Sequence, residues 1–454
     1  MEYLPESVMY ATSEVREVAR NKFKLETVSS DTAGPNRIIT FNLPENSMID
    51  TKSLKFFADI ACEGSSAAGV PAADEVFGKL PGHVSSMIAR VEVYINGVQV
   101  QQGASEYNTI AQALRLGVSN IDKDNSIDRA LGHSYITDND ANDDETVCLN
   151  EWCGFLNQSS TRYLNTGLLG QIQIRLTWAG NHVLVPKQVG IPLGTDLVGA
   201  SAISNATAIK FSVSNMYFSA DTITLDPMYN AMLRKRLESG GLELNYKEYY
   251  SFQLDGITGG AGATSASTRF SLSSGCISRL YAVYRDMNYT SVGKRSHLYP
   301  NAAGVAAYQS NGLRFRSYSG DTKKVGNARW QWSVNNVKYP QYQGTWMDGL
   351  ADVSYAQDKV SHEANGTLIT SKESFNDGKF VYPLLLELPT GRGVSVQSGY
   401  NSRGINTQMV FQSSSQTIPP AAGQVDSGAI SSFVVAETVA KLMIALGRDL
   451  AVQF

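Results

Sequence analysis

The chain has 454 residues, of which 43% are hydrophobic and only 18% are charged, and its formal net charge at pH 7 is −4. The apolar and aromatic content excludes a disordered chain, the lack of a basic excess argues against a general nucleic-acid binder, and no apolar run approaches the roughly 18 residues that a membrane-spanning helix needs. The 39 glycines favour an all-β protein with many turns.

The first predicted element is an amphipathic helix over residues 12–25, which would form an N-terminal helical arm. Ser13 can cap this helix, Glu14 and Glu17 suit its first turn, and basic residues suit its last turn. Three interpretations stay open for it: packing on a neighbouring subunit, contact with lipid through its basic side chains, or an ordinary packed terminus. The N-terminus lacks the apolar core of a signal peptide, so we expect no secretion by the ordinary pathway.

Strand patterns dominate after this arm. Residues 37–43 and 52–62 are rich in β-branched and aromatic side chains, and residues 87–100 alternate between polar and apolar. Asn96 and Gly97 predict a type I′ hairpin turn within the last of these runs, because both central positions of that turn need a positive φ.

Helical spacing appears over residues 105–116 and again over 225–237, where a Ser-Gly-Gly sequence ends the helix. Long loops are predicted at residues 117–147, 287–327 and 412–431, and the first of these is strongly acidic. Further strands are predicted at residues 152–156, 171–178, 208–218, 242–254, 269–272, 277–285, 329–334, 381–388, 407–412 and 438–446.

The two halves of the chain show an internal repeat. Residues 89–98 (ARVEVYINGV) align with residues 328–337 (ARWQWSVNNV) at an offset of 239 (329 − 90). Residues 207–213 align with residues 438–444 at an offset of 231 (441 − 210). The strand pair RIITFNL and SLKFFADI has a counterpart in TRFSLSS and SRLYAVYRD. The shared order predicts a duplicated β-domain with about eight strands in each copy, which suits a jelly roll.

The predicted fold is therefore all-β, with two tandem eight-stranded jelly rolls and short helices in the loops. The predicted domain limits are an N-terminal arm at residues 1–35, a first jelly roll at 36–220, a linker helix at 221–241 and a second jelly roll at 242–454.

Residues 36–60, 87–114 and 212–232 together resemble the double jelly-roll major capsid proteins of tailless icosahedral double-stranded DNA viruses, which include the adenovirus, virophage and polinton-like lineages. The likeness extends over residues 36–454. It is most specific at residues 87–116, where a strand that ends in Ile-Asn-Gly precedes a helix with a tyrosine. The block SGYNSRGINTQMVF near the end of the chain also resembles this family.

This resemblance implies a virion structural protein that assembles inside the host cell. Three chains would form a pseudo-hexagonal homotrimer, and these capsomers would tile an icosahedral shell. The implied partners are neighbouring capsomers, penton and minor capsid proteins, and an internal membrane contacted through the N-terminal arm, with no specific nucleic acid. The family carries no catalytic or ligand motif, so no site residue is transferred.

The residues themselves also predict no catalytic, cofactor or metal site. Four cysteines, at positions 62, 148, 153 and 276, are too few for a disulfide framework and are expected to be buried thiols. The acidic loop 138–145 begins like a calcium loop, but Asp143 and Leu149 stand where an EF-hand needs glycine and glutamate. A solvated loop and a lattice-stabilising divalent ion both stay open. Trp330 and Trp332 share one face of a strand, and core packing or a sugar-stacking platform are the two interpretations.

Two other functional classes stay open. A two-domain β-sandwich carbohydrate-active enzyme or peptide-glycan amidase can use tandem jelly rolls, and it would need a cleft with paired carboxylates. A lectin-like adhesion module is the third alternative. The sequence carries no GxSxG or P-loop motif, and its Gly-rich segment at residues 256–262 lacks the Lys-Ser/Thr ending that contacts phosphates and Mg²⁺.

Overall fold

The computed structural model describes most of both halves of the chain. The described residues are 17–64, 75–81, 83–102, 106–118, 139–161, 163–189, 209–225, 231–232, 235–238, 241–257, 261–286, 315–316, 328–345, 348, 382–386, 399–404, 407–417, 430–445, 447 and 449–454. The predicted loop at 287–327 lies outside them except for residues 315–316, and so do residues 119–138 of the predicted acidic excursion and most of the predicted loop at 412–431.

Strands alternate with short connections in the first half. They are β1 (Glu17–Glu26), β2 (Ile38–Asn42), β3 (Met48–Glu63), β4 (Val76–Lys79), β5 (Ile88–Ile95), β6 (Val98–Gln101), β7 (Asp144–Leu149), β8 (Tyr163–Asn165), β9 (Ile172–Trp178), β10 (Val185–Gln188) and β11 (Lys210–Leu225). Two helices, α1 (Tyr107–Val118) and α2 (Thr166–Leu169), and two 3₁₀ turns, at Val84–Met87 and Asn181–Val183, lie in the connections.

The second half is built in the same way. Its strands are β12 (Leu242–Ile257), β13 (Ala261–Phe270), β14 (Ile277–Asp286), β15 (Phe315–Arg316), β16 (Ala328–Val334), β17 (Val337–Gly344), β18 (Tyr382–Leu385), β19 (Met409–Thr417), β20 (Ile430–Ala445) and β21 (Asp449–Gln453).

Each half contains two facing antiparallel sheets with the same strand order, and the first half has in addition a two-stranded antiparallel sheet of β4 and β10. In the first half the facing sheets are β1-β11-β3-β7, with β8 beside β3, and β2-β9-β5-β6. In the second half they are β12-β20-β14-β15, with β18 and β21 alongside, and β13-β19-β16-β17. This arrangement is a double jelly roll, as predicted. In each half the two sheets pack face to face because alternate side chains of each strand are apolar and are buried between the sheets.

The strand order also confirms the internal repeat. The hairpin β5-β6 and the hairpin β16-β17 occupy the same place in their sheets, as do β3 and β14. The alignment near the end of each half names the right strands, β11 and β20, but in the wrong register. Both strands are 16 residues long and they begin 220 residues apart (430 − 210), whereas the sequence alignment gives 231.

The predicted hairpin turn is present, and the aligned segment of the second half turns in the same way. Asn96 and Gly97 have φ of 48° and 82°, and the equivalent residues Asn335 and Asn336 have φ of 47° and 68°. These values are those of a type I′ turn, which asparagine and glycine tolerate better than other residues.

The prediction of an N-terminal helix is wrong for the described residues. Glu17–Glu26 form strand β1, which pairs antiparallel with β11 along the edge of the first large sheet. Phe23 and Leu25 pack on the core, while Arg20, Lys22 and Lys24 are exposed. This alternation has period two, and pairing with an open sheet edge overrides the weak helical pattern. Residues 12–16 of the predicted helix lie outside the described residues.

Two further elements differ from prediction. Residues 152–156 form an irregular segment with a turn and not a strand. Trp152 and Phe155 are buried there, but buried and exposed side chains do not alternate along the segment as they would in a strand. In the predicted helix 225–237, Leu225 is still part of β11, and helical conformation is described at residues 231–232 and 235–238. Gly241 follows with φ of 83°, and its N–H donates to the Leu237 carbonyl. The predicted domain limits stay predictions.

The core of the first jelly roll is centred on aromatic side chains. Phe56 contacts Phe41, Trp152, Trp178 and Phe218, with ring centroids between 5.2 and 6.5 Å apart. Such pairs add about 0.5–1.5 kcal/mol each to the burial term.

In the second jelly roll, Trp330 and Trp332 are both buried between the sheets, which is the core interpretation of this pair. The Trp332 ring packs against Phe411, with centroids 4.7 Å apart.

Candidate assembly interface

The two jelly rolls meet where the edge strand β6 of the first is covered by β12 and β21 of the second. Val100 of β6 is fully buried, and its carbonyl accepts a 2.6 Å hydrogen bond from the Tyr246 hydroxyl. The Tyr246 ring packs edge-on against Phe155, at 5.2 Å between centroids. An edge strand of the first half is therefore closed off within the chain.

The segment at residues 158–160 pairs with the free side of β12. Ser160 N donates to the Asn245 carbonyl at 2.6 Å, and Lys247 N donates to the Gln158 carbonyl at 3.2 Å. The Gln158 side chain also accepts a 2.8 Å hydrogen bond from the Tyr249 hydroxyl. Through these bonds, residues 158–160 of the first half act as an additional edge of the large sheet of the second half.

Helix α1 enters both cores. Tyr107 belongs to the hydrophobic cluster of the first jelly roll, and Ile110 and Ala113 belong to that of the second. The Tyr107 hydroxyl accepts a 2.9 Å hydrogen bond from Cys153 N, and burial raises its pKa well above the ordinary value. One short helix thus links the two halves.

The second half extends an apolar face onto the first. β12 and β20 are each 16 residues long, while β16 in the facing sheet has only 7, so the large sheet reaches past its own sandwich. On this extension Ala440, Leu442 and Ile444 are buried within the hydrophobic cluster of the first half. The extension makes the junction a continuous core, and not a polar contact between independent domains.

Two carboxylates are buried near this junction. Glu248 is 2% exposed, Gln102 N donates to its Oε1 at 3.2 Å, and its Oε2 has no hydrogen-bond partner among the residues that the structure describes. Burial raises the pKa of Glu248 to about 8. Glu437, also 2% exposed, accepts from Lys247 Nζ at 2.5 Å and from the Ser278 hydroxyl at 3.1 Å. Lys247 compensates the charge of Glu437, whereas no cation among the described residues pairs with Glu248, so burial favours the protonated form of its carboxyl.

The repeat places an equivalent edge strand, β17, at the far side of the second jelly roll. Val98, at the start of β6, is half-buried, whereas the equivalent Val337 is 53% exposed. Tyr342 on the same strand is 60% exposed. The edge of β6 is therefore covered within the chain, whereas the equivalent edge of β17 is exposed. An exposed apolar strand edge of this kind can pair with another chain.

The acidic loop is tied to buried lysines in its described part. Lys79 Nζ is fully buried, 2.9 Å from Asp143 Oδ1 and 2.5 Å from Asn139 Oδ1. Lys187, itself 4% exposed, pairs with Asp140 at 3.0 Å. These acids neutralise lysines, so the observed role of the loop is an internal ion-pair cluster. Residue 138 lies outside the described residues, and in the described part no group of three or more His, Cys, Asp or Glu is arranged to hold a metal.

The cysteines are free thiols that are buried or half-buried. Cys62 and Cys148 are buried and Cys153 and Cys276 are half-buried. Burial raises the pKa of Cys62 and of Cys153 to about 12 and that of Cys148 to about 11. Thiols of this kind are unreactive side chains of the core.

Sequence reasoning missed the junction and the buried charges. The alternation in β12 marks a half-buried strand but does not say that Tyr246 faces another domain. One signal was present: the alternate residues 242, 244, 246, 250, 252 and 254 of β12 are leucine, tyrosine or phenylalanine, and Glu248 is the one charged residue in that row. A carboxylate on the apolar row of a strand could have indicated a buried acid.

No helix in the described part of the chain is long and apolar enough to cross a membrane.

The fold is similar to several solved capsid structures. The crystal structure of PBCV-1 VP54, fitted into a reconstruction of the virophage Sputnik, is 14% identical, covers 96% of each chain and gives a TM-score of 0.60. The cryo-EM structure of the Sputnik virophage is 13% identical over 96% of this chain and 89% of that one, with a TM-score of 0.54. The mavirus major capsid protein is 10% identical over 100% and 95%, with a TM-score of 0.51. The sequence matches no family model and no curated protein. At these identities the likeness shows the fold.

Proposed function

We propose that this double jelly-roll chain is a major capsid protein, a structural subunit of an icosahedral virion shell and not an enzyme. Its fold is that of solved capsid proteins over nearly the whole chain. The observation that carries the proposal is the pair of equivalent edges, since β6 is covered within the chain and β17 is exposed.

The assembly unit follows from repetition of the internal contact. Within one chain, the second jelly roll covers the edge strand β6 of the first jelly roll. In an assembly, the first jelly roll of a second chain can cover the equivalent edge strand β17 in the same way. β1 holds the same place in its sheet as β12 does in the second half, and Ala19 and Asn21 on β1 are exposed and uncharged. A contact of this head-to-tail type closes into a ring when its rotation permits. Six jelly rolls in such a ring are three chains, a pseudo-hexagonal homotrimer.

The further partners belong to the same proposal. Homotrimers would contact neighbouring capsomers in the shell, together with penton and minor capsid proteins, and the N-terminal segment would reach an internal membrane. The chain would assemble in the host cell and be located in the virion. No specific nucleic-acid contact is proposed, which agrees with the formal net charge of −4.

Electron microscopy and mass photometry of the purified protein test this function. We expect hexagonally outlined trimers. Tyr342→Asp combined with Val337→Asp should give monomers, because two charges would be buried at the ring contact. Ile38→Asp is the control, since Ile38 is 59% exposed on β2, an edge strand of the first half that the proposed contact does not use.

A soluble monomer of the unaltered chain would contradict the proposal, and hydrolase activity on a polysaccharide or on peptidoglycan would favour the enzyme alternative. Trimers that persist in the double variant but are lost in Ile38→Asp would show that the contact between chains uses β2 and not β17, which would contradict the proposed ring contact.

A further inference from the structure

The outer face of the first large sheet carries a cleft at an irregular point of strand pairing. β3 and β11 pair at Lys55 with Ser219 and resume at Asp50 with Asp221, so that residues 51–54 of β3 lie opposite a single residue of β11. The chain of β3 is displaced there and leaves a surface cavity of about 200 Å³ between the bulge and β1. Bulges of this type re-aim side chains and are frequent near functional sites.

The bulge has a defined shape. The Ser53 hydroxyl donates to the Asp50 carbonyl at 2.7 Å and accepts from Asp221 N at 2.8 Å, so one side chain closes the gap in the sheet. Lys52 N donates to Asp50 Oδ1 at 3.1 Å. These bonds hold the cleft open as part of the sheet.

The side chains around the cleft are predominantly basic. Its charged lining consists of Arg20, Lys22, Lys52, Lys55, Asp50 and Asp221, four cations and two carboxylates, a formal charge of +2 (4 − 2). The whole chain, in contrast, has a formal net charge of −4. A local excess of positive charge in a concave site concentrates anions.

Arg20 accounts for both carboxylates. It lies 3.2 Å from Asp221 Oδ2 and 3.5 Å from Asp50 Oδ2, and Asp50 is only 1% exposed. In the described part of the chain, Lys22, Lys52 and Lys55 form no ion pair with a carboxylate. Among the described residues, the charges of these three lysines are therefore not offset by a paired carboxylate, and a bound anion would offset them.

We propose that this cleft binds a phosphate-type oxyanion. Three lysine ammonium groups supply freely rotating donors, and ammonium groups are common ligands of phosphate. The cavity volume is that of roughly seven water molecules at ~30 Å³ each, which accommodates a phosphate group with part of its hydration shell. The phosphate could belong to a soluble ligand or to the headgroup of an anionic phospholipid. The site is a property of the folded chain and does not depend on the capsid function.

The test measures anion binding to the full-length protein by calorimetry, with inorganic phosphate and pyrophosphate as probes against chloride at equal ionic strength. Sedimentation with phosphatidylcholine vesicles that contain phosphatidylglycerol provides the lipid arm. The variant is Lys22→Gln combined with Lys55→Gln. Lys210→Gln is the matched control, because Lys210 is exposed at the other end of the same sheet.

We expect the double variant to bind pyrophosphate at least about tenfold more weakly, as expected when charge-assisted contacts are lost, and the control to stay within about twofold. Vesicle binding that is lost in the double variant would identify a lipid headgroup, and phosphate binding without vesicle binding a soluble ligand. The proposal is overturned if neither probe nor vesicle binds, or if the double variant binds as the unaltered chain does. Equal melting temperatures of the variants exclude a folding defect.

Discussion

At the scale of single residues, the junction between the jelly rolls contains two buried acids in different electrostatic states. Glu437 is compensated by Lys247, whereas in the described part of the chain Glu248 has one backbone donor and one oxygen without a partner. Transferring an uncompensated carboxylate from water is so costly that the acid takes up a proton instead. Glu248 therefore makes the stability of the junction dependent on pH.

The pKa of Glu248 is about 8 in the folded chain, against an ordinary value of 4.5. Between these values the folded state holds a proton that the unfolded state has released, so stability falls as pH rises from about 4.5 to 8 and changes no further from this group above that. Glu248→Gln should remove this slope and stabilise the protein at pH 8 by an amount on the order of a few kcal/mol. Denaturant titrations at pH 5.5 and 8.5 measure it, with Glu243→Gln as the exposed control. A slope that survives in Glu248→Gln would contradict the assignment.

At the scale of elements, strand β1 decides how the first large sheet ends. It covers β11, a 16-residue strand whose outer edge would otherwise expose unpaired backbone groups. Phe23 and Leu25 add apolar contacts with the core. The N-terminal segment is thus part of the first sandwich and not only an arm that extends from it.

Deletion of residues 1–26 should therefore destabilise the protein, and deletion of residues 1–16 should not do so to the same degree. Removing two half-buried apolar side chains costs about 1–3 kcal/mol, and the newly open edge favours aggregation. Thermal melting and light scattering of the two truncated chains measure the difference. Equal melting temperatures for both would show that β1 contributes no stability to the sheet.

At the scale of the whole molecule, the two jelly rolls share one buried surface. Tyr246, Leu442 and Ile444 of the second half are buried against the first, and Ile110 of the first is buried in the second. Each half alone would expose an apolar surface to water.

Expressed separately, residues 1–241 and 242–454 should be insoluble or aggregated, and co-expression should recover a soluble complex with the size of the full chain. The physical reason is burial of the junction, which neither half can achieve alone. Gel filtration of each half and of the pair measures this. Two soluble monomers that do not associate would show that the junction is a weak contact.

The strand patterns and the internal repeat by themselves determined the all-β class, both Asn hairpin turns, α1 and the double jelly roll, because these depend on local alternation and on turn chemistry. Only the tertiary structure decided the rest. Residues 17–26 became a strand because β11 offered an open edge. The segment 158–160 paired with β12, and burial at the junction raises the pKa of Glu248. These outcomes depend on contacts between residues that are distant in sequence. The low overall charge of the 454 residues does not show which surfaces are buried in such contacts.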